Sequence, residues 1–275
     1  MKRLFLFALL GTLLATTVSC DKIEKDHYLI PSGVSGEWFE SHASIPKVQR
    51  AMVEKYTGVR CVNCPAADEI IHAALEQYNG KLIAVAIHSG VFGRPLGNDP
   101  DLRTEDGTQW YETLVGTSTG LPAALVNRGE LFNPLGGVND RIDPIVNSDP
   151  KVTMLITSES IVDNEFFSDI HVGFEQNIAE ELTLTLLLYE DNIHTTQSIA
   201  GGGDIEDYVQ NHVLRKVYTD IWGLPVSVAR TQGKQYFIRL NLSLPAGCVK
   251  DNCHLVAFIA EKESHKILNV AECKL

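Results

Sequence analysis

Cys61-Val62-Asn63-Cys64-Pro65 decides how this chain is read, because it sets two thiols three positions apart where a helix is about to start. Thiols so placed are close enough to close a disulfide. The unpaired backbone N–H groups of a first helical turn favour a thiolate on the first of them. A C-x-x-C alone fits a redox pair, half a zinc site or a structural clip, so its flanks matter. Residues 51–56 ahead of it are strand-like. Behind it Ala67, Ile70, Ile71, Ala74, Leu75 and Tyr78 recur at helical spacing, and Asn79-Gly80 supplies a stop. Residues 82–87 form a continuous apolar run, as a buried parallel strand requires.

Further along, residues 90–107 are rich in turn formers and read as an insertion loop, with a short helix expected over 108–115. Gly120-Leu121-Pro122-Ala123 then places a proline at the mouth of an apolar strand, and Asn127-Arg128-Gly129 makes a polar turn after it. Residues 140–146 suggest a last helix, interrupted by Pro144. This order of strand, C-x-x-C, helix, strand, helix and proline-led strand resembles the thioredoxin fold. That resemblance implies a cis bond at Leu121–Pro122, with the proline lying against the cysteine pair.

After Asp149-Pro150 the pattern changes to period-two alternation. Val152, Met154 and Ile156 share a face, as do Leu182, Leu184, Leu186 and Leu188, and again Ile238, Leu240 and Leu242. Residues 208–221 fit helix or strand, with strand preferred. Several short strands at such spacing predict an immunoglobulin-like β-sandwich. The expected fold class is therefore an α/β thioredoxin-like domain over 47–149 followed by an all-β immunoglobulin-like sandwich over 150–275.

The N-terminus reads as an address. Lys2-Arg3 precede an apolar core too short to span a bilayer comfortably, and Ser19-Cys20 ends it. Residues 1–19 are expected to be a lipoprotein signal peptide and Cys20 the acylated anchor, with an ordinary cleaved signal as the alternative. Residues 20–46 then form a polar tether. The expected location is the outer membrane, on either of its faces. With 35 acidic against 23 basic residues and a formal charge of −12, the chain lacks the basic face that a nucleic-acid partner needs.

Export makes paired cysteines disulfides or redox centres before zinc ligands, and no second C-x-x-C appears to complete a zinc ribbon. In the redox reading Cys61 attacks, Cys64 resolves and Pro122 shapes the docking surface for a partner. Glu54, on the preceding strand, is a candidate proton acceptor, with an exposed strand carboxylate as the alternative. Among Cys248, Cys253 and Cys273, a Cys248–Cys253 clip is preferred to a Cys253–Cys273 cross-strand bond. No metal site and no cofactor are expected.

The stretch Lys55-Tyr56-Thr57-Gly58-Val59-Arg60-Cys61-Val62-Asn63-Cys64-Pro65-Ala66-Ala67 resembles the signature of the outer-membrane-protein-28-related lipoproteins of Gram-negative bacteria. Leu121-Pro122 through Asn127-Arg128, and Asn211-His212-Val213-Leu214-Arg215, are similar to that family too. The resemblance implies an outer-membrane lipoprotein and leaves its mechanism open. Two functions follow as expectations: thiol–disulfide exchange with envelope proteins, or a non-catalytic binding lipoprotein of the envelope or surface whose C-x-x-C is a structural disulfide.

Overall fold

The computed structural model describes residues 36–275 apart from Asp163, so the signal peptide and Cys20 lie outside the described residues. The chain enters through β1 (Trp38–Glu40) and then makes β2 (Ala51–Thr57), α1 (Cys64–Tyr78) and β3 (Leu82–His88). A short helix α2 (Glu105–Trp110) runs on into a π-helical turn at Tyr111–Val115, followed by β4 (Ala123–Val126) and α3 (Val138–Val146). The expected helix over 108–115 thus starts three residues earlier. The Thr104 hydroxyl accepts from the Gly107 N–H at 2.9 Å and caps it there.

Strands then dominate: β5 (Val152–Val162), β6 (Glu165–Phe174), β7 (Leu182–Glu190), β8 (Ile193–Ser198), β9 (Asp204–Gln210), β10 (Val213–Val217) and β11 (Leu224–Pro225). They are followed by β12 (Gln235–Ser243), β13 (Cys253–Glu261) and β14 (Ile267–Lys274). The fold is β-rich. β1, β12, β6 and β5 form a four-stranded sheet in that order. A larger sheet runs β14-β13-β7-β10-β3-β2-β4, with β11 also paired to β7. Strands from both sides of residue 150 share this larger sheet, and residues 36–275 fall in one compact unit. The join is narrow: β10 pairs in parallel with β3 through Val213 and Ala86.

Alternation explains how the layers stack. One face of the larger sheet carries Leu184, Leu186 and Leu188 of β7 with Leu255, Ala257 and Ile259 of β13. These pack on Met154, Ile156, Ile170, Val172, Ile238 and Leu240 of the smaller sheet. Further along, Ala51, Val53, Leu82 and Ala84 pack beneath α1 and α3. The opposite face gathers Met52, Tyr56, Val85, Ile87, Leu187 and Phe258 around Trp110 and Tyr111. The sheet curls about this third core until its ends meet. The Ile267 N–H donates to the Asn127 carbonyl, and the Asn127 amide returns a bond to the Ile267 carbonyl, both at 3.1 Å. Among the described residues, no helix is long and apolar enough to cross a membrane.

Candidate functional site: a covered cysteine pair

The loop leaving β2 carries the cysteine pair, and Cys61 and Cys64 are joined as a disulfide. α1 begins only at Cys64, with Pro65 in its first turn, where a missing N–H costs nothing. Gly58 is required by close approach: a Cβ there would lie 2.4 Å from the backbone of Phe92. Arg60 fastens the same contact, its N–H donating to the Phe92 carbonyl at 2.9 Å and its guanidinium to the Arg94 and Pro95 carbonyls.

Leu121–Pro122 is cis. β4 pairs antiparallel with β2 through Ala123 and Tyr56, so the register brings Pro122 to the end of β2 from which the cysteine loop departs. The exposed side chains Val62, Val91 and Phe92 stand on the loops that meet there.

The sulfurs themselves are covered. Cys61 is 3% exposed and Cys64 0%. The β8–β9 hairpin, a two-stranded sheet of its own, is hydrogen-bonded to the loop. Ser198 donates its N–H to the Val59 carbonyl at 2.8 Å, and the Gln197 amide donates to the Cys61 carbonyl at 3.1 Å. Gln210 holds Gln197 in place, donating to its side-chain oxygen at 3.0 Å. Tyr208 donates to the Asp68 carboxylate at 2.9 Å, tying β9 to the first turns of α1. The sequence signal for this cover was weak, because polar Gln197 and Gln210 look like solvent-facing strand residues until they are placed together.

Glu54 does not stand behind the pair. Strand parity turns it to the face opposite α1, where its carboxylate takes three hydrogen bonds from Arg128 at 2.9 to 3.1 Å. Its neighbour Lys55 is the ionisable group on the α1 face, buried and in contact with Asp68. The signal for Lys55 lay in the pattern: it shares parity with the buried Ala51 and Val53. Lys55, Asp68, Ile71, Leu75, Tyr208 and His212 line a cavity of about 250 Å³ beside the hairpin. Burial pulls the Lys55 ammonium down to about 7. Burial, with the Lys55 charge adding, pushes the nearby His88 imidazole to about 3, so it is neutral at physiological pH.

A pH prediction follows from Lys55. Between about 7 and its ordinary 10.5 the unfolded chain holds a proton that the folded chain has lost, so stability rises with pH in that window. The unfolding free energy of the wild type, measured against Lys55→Met in urea at pH 6.5, 8 and 9.5, should improve steadily. A flat difference would show that Asp68 keeps Lys55 charged throughout.

The remaining cysteines divide. The preferred Cys248–Cys253 clip is not closed in this structure, where the two thiols stand close enough for a hydrogen bond between them. The expected facing of Cys253 and Cys273 does not occur, because Cys273 pairs with Leu255. A bulge between Ile259 and Ala260, with Leu268 as the extra residue, moves the pairing along β13 and β14 by one.

Comparison with known proteins agrees with this β-rich architecture. HBP35 of Porphyromonas gingivalis superposes with a TM-score of 0.65 at 18% identity, covering 84% of this chain and 77% of its own. Protein AGR_C_4864 from Agrobacterium tumefaciens reaches 0.53 at 17% identity, covering 82% and 95%. At these identities the likeness is one of fold. No curated protein matches the sequence. The family model described as outer membrane protein Omp28 matches residues 110–275, more than half of the chain. With that match, and with the cysteine loop and curled sheet in view, the chain belongs to the Omp28 family of outer membrane proteins, which places it with the cell envelope.

Proposed function

We propose that this protein is an envelope lipoprotein, tethered through an acylated Cys20, that acts by binding other envelope or surface proteins and not by turnover. In this reading the Cys61–Cys64 bond is a structural clip within a thioredoxin-like unit. The order β2, α1, β3, β4 and the cis Leu121–Pro122 bond support such a unit. The facing sheets support an immunoglobulin-like sandwich beside it, one whose larger sheet also carries β2, β3 and β4.

One observation carries the non-catalytic reading: both sulfurs are buried, at 3% and 0% exposure, beneath the hydrogen-bonded β8–β9 hairpin. Disulfide exchange needs an incoming thiolate to reach a sulfur, and exposure this low works against it. Binding contacts then fall on exposed loops, of which Val62, Val91 and Phe92 offer an apolar group.

The second reading, thiol–disulfide exchange, is favoured by the cis proline at the departure point of the cysteine loop. There Cys61 would form a mixed disulfide with a partner and Cys64 would resolve it. Two measurements separate the readings. In the folded wild type, the Cys61–Cys64 bond should resist dithiothreitol until urea opens the fold. A Cys64→Ser variant in intact envelopes should accumulate no specific mixed disulfide at Cys61. Ready reduction of the folded protein, or a discrete trapped partner, would move the assignment to exchange.

A further inference from the structure

We infer that Cys248 and Cys253 close a second disulfide, and that this bond, not Cys61–Cys64, is the first to open when the folded protein meets a thiol reductant. The site lies at the β12–β13 connection, where Cys253 pairs with Glu190 of β7. The two sulfurs and the Glu190 carboxylate lie within 4.8 Å of one another. The short loop between the thiols is already pinned. Val249 donates its N–H to Glu190 at 2.7 Å, the Asn252 N–H bonds the Val249 carbonyl, and the Asp191 N–H bonds the Asn252 carbonyl. Closing the bond gives up the hydrogen bond that the Cys253 thiol donates to the Val249 carbonyl at 3.3 Å. An envelope protein meets an oxidising compartment, where neighbouring thiols persist as disulfides.

A bridging metal ion is the rival occupant, since two thiols and a carboxylate are ligands a thiophilic cation accepts. Arg215 argues against it. Its guanidinium lies 3.4 Å from the Glu190 carboxylate and already balances that charge. Hydrogen bonding from Cys253 also holds the Cys248 thiol below its usual range, which favours it as the attacking thiolate. In oxidation the Cys248 thiolate attacks the disulfide of an envelope oxidant and releases one of its sulfurs as a thiol. Cys253 then loses its proton and displaces the other, so two protons and two electrons leave with the reduced dithiol. Reduction runs the same steps backward from the exposed end. Cys248 is partly exposed whereas Cys253, Cys61 and Cys64 are buried, so the Cys248 sulfur is the one an incoming thiolate reaches.

The test uses the full chain isolated from envelopes with free thiols blocked by iodoacetamide. Peptide mapping should yield a Cys248–Cys253 link and alkylated Cys273. Folded protein is next exposed to graded dithiothreitol, quenched in acid, unfolded and relabelled. Cys248 and Cys253 should take label at least about tenfold faster than Cys61 and Cys64. Alkylated Cys248 and Cys253, or zinc retained there at one equivalent, overturns the pairing while leaving the binding assignment intact. Earlier opening of Cys61–Cys64 overturns the order and counts against that assignment as well.

Discussion

An Arg128→Ala variant is expected to lose about 3–5 kcal/mol of folding stability, the cost of leaving a buried charge without its partner. The side chains of Glu54 and Arg128 are 1% and 2% exposed, and the guanidinium meets both carboxylate oxygens. It also lies 4.6 Å from the Trp110 ring and 4.9 Å from Phe258, so its removal opens a void as well. Arg128→Lys should be nearly as damaging, since an ammonium cannot make the same fork or stack. A double Glu54→Leu, Arg128→Met variant should recover most of the loss, because an apolar pair carries no desolvation cost. Urea midpoints of the single and double variants check this. A loss below about 1 kcal/mol for Arg128→Ala would mean that water reaches Glu54. The expected result assigns Glu54 to architecture, in place of the proton-accepting role its sequence position suggests.

Asn269→Ala should cost a similar amount, about 3–5 kcal/mol, by stranding several buried peptide groups at once. Asn269 is wholly buried on β14. Its side-chain oxygen accepts from the Arg50 N–H at 3.0 Å, and its amide donates to the carbonyls of Val48 and Val152 at 3.0 and 2.6 Å. One side chain thus fastens the lead-in to β2, the start of β5 and the C-terminal strand. Asn269→Leu restores volume without the bonds and should fare little better. Unfolding followed by tryptophan fluorescence and by circular dichroism should give coincident transitions in wild type and variant. A separate early transition of residues 47–149 would contradict that coupling.

Much of this architecture was legible because alternation reports which face a side chain takes. Leu184, Leu186 and Leu188, or Ile238, Leu240 and Leu242, announce a buried sheet face before any partner is known. The cis Leu121–Pro122 bond was expected on a different ground, the resemblance of the element order to the thioredoxin fold. What alternation cannot report is which strands neighbour one another. Val213 beside Ala86 is a contact between residues far apart in the chain, and no local pattern encodes it. The same gap hid the cover over the cysteines, where Gln197 and Gln210 satisfy each other only after the β8–β9 hairpin folds over the loop. At Glu54 and Lys55 the error was one of parity, for a single residue along a strand exchanges its two faces. Along β13 and β14 a one-residue bulge at Leu268 moved the register, and Cys273 came to face Leu255.

The curling of the larger sheet bears on how copies of this protein can meet. β4 spends its outer peptide groups on Phe132, through a reciprocal pair of bonds with Ala124, and the turn after it clasps Ile267. The Gln49 amide donates to the Leu268 carbonyl, so a peptide group at the start of β14 is occupied too. An open strand edge offers a neighbouring molecule a place to add a strand. Where the sheet fastens its own margins together, at Ala124, Ile267 and Leu268, that template is withheld.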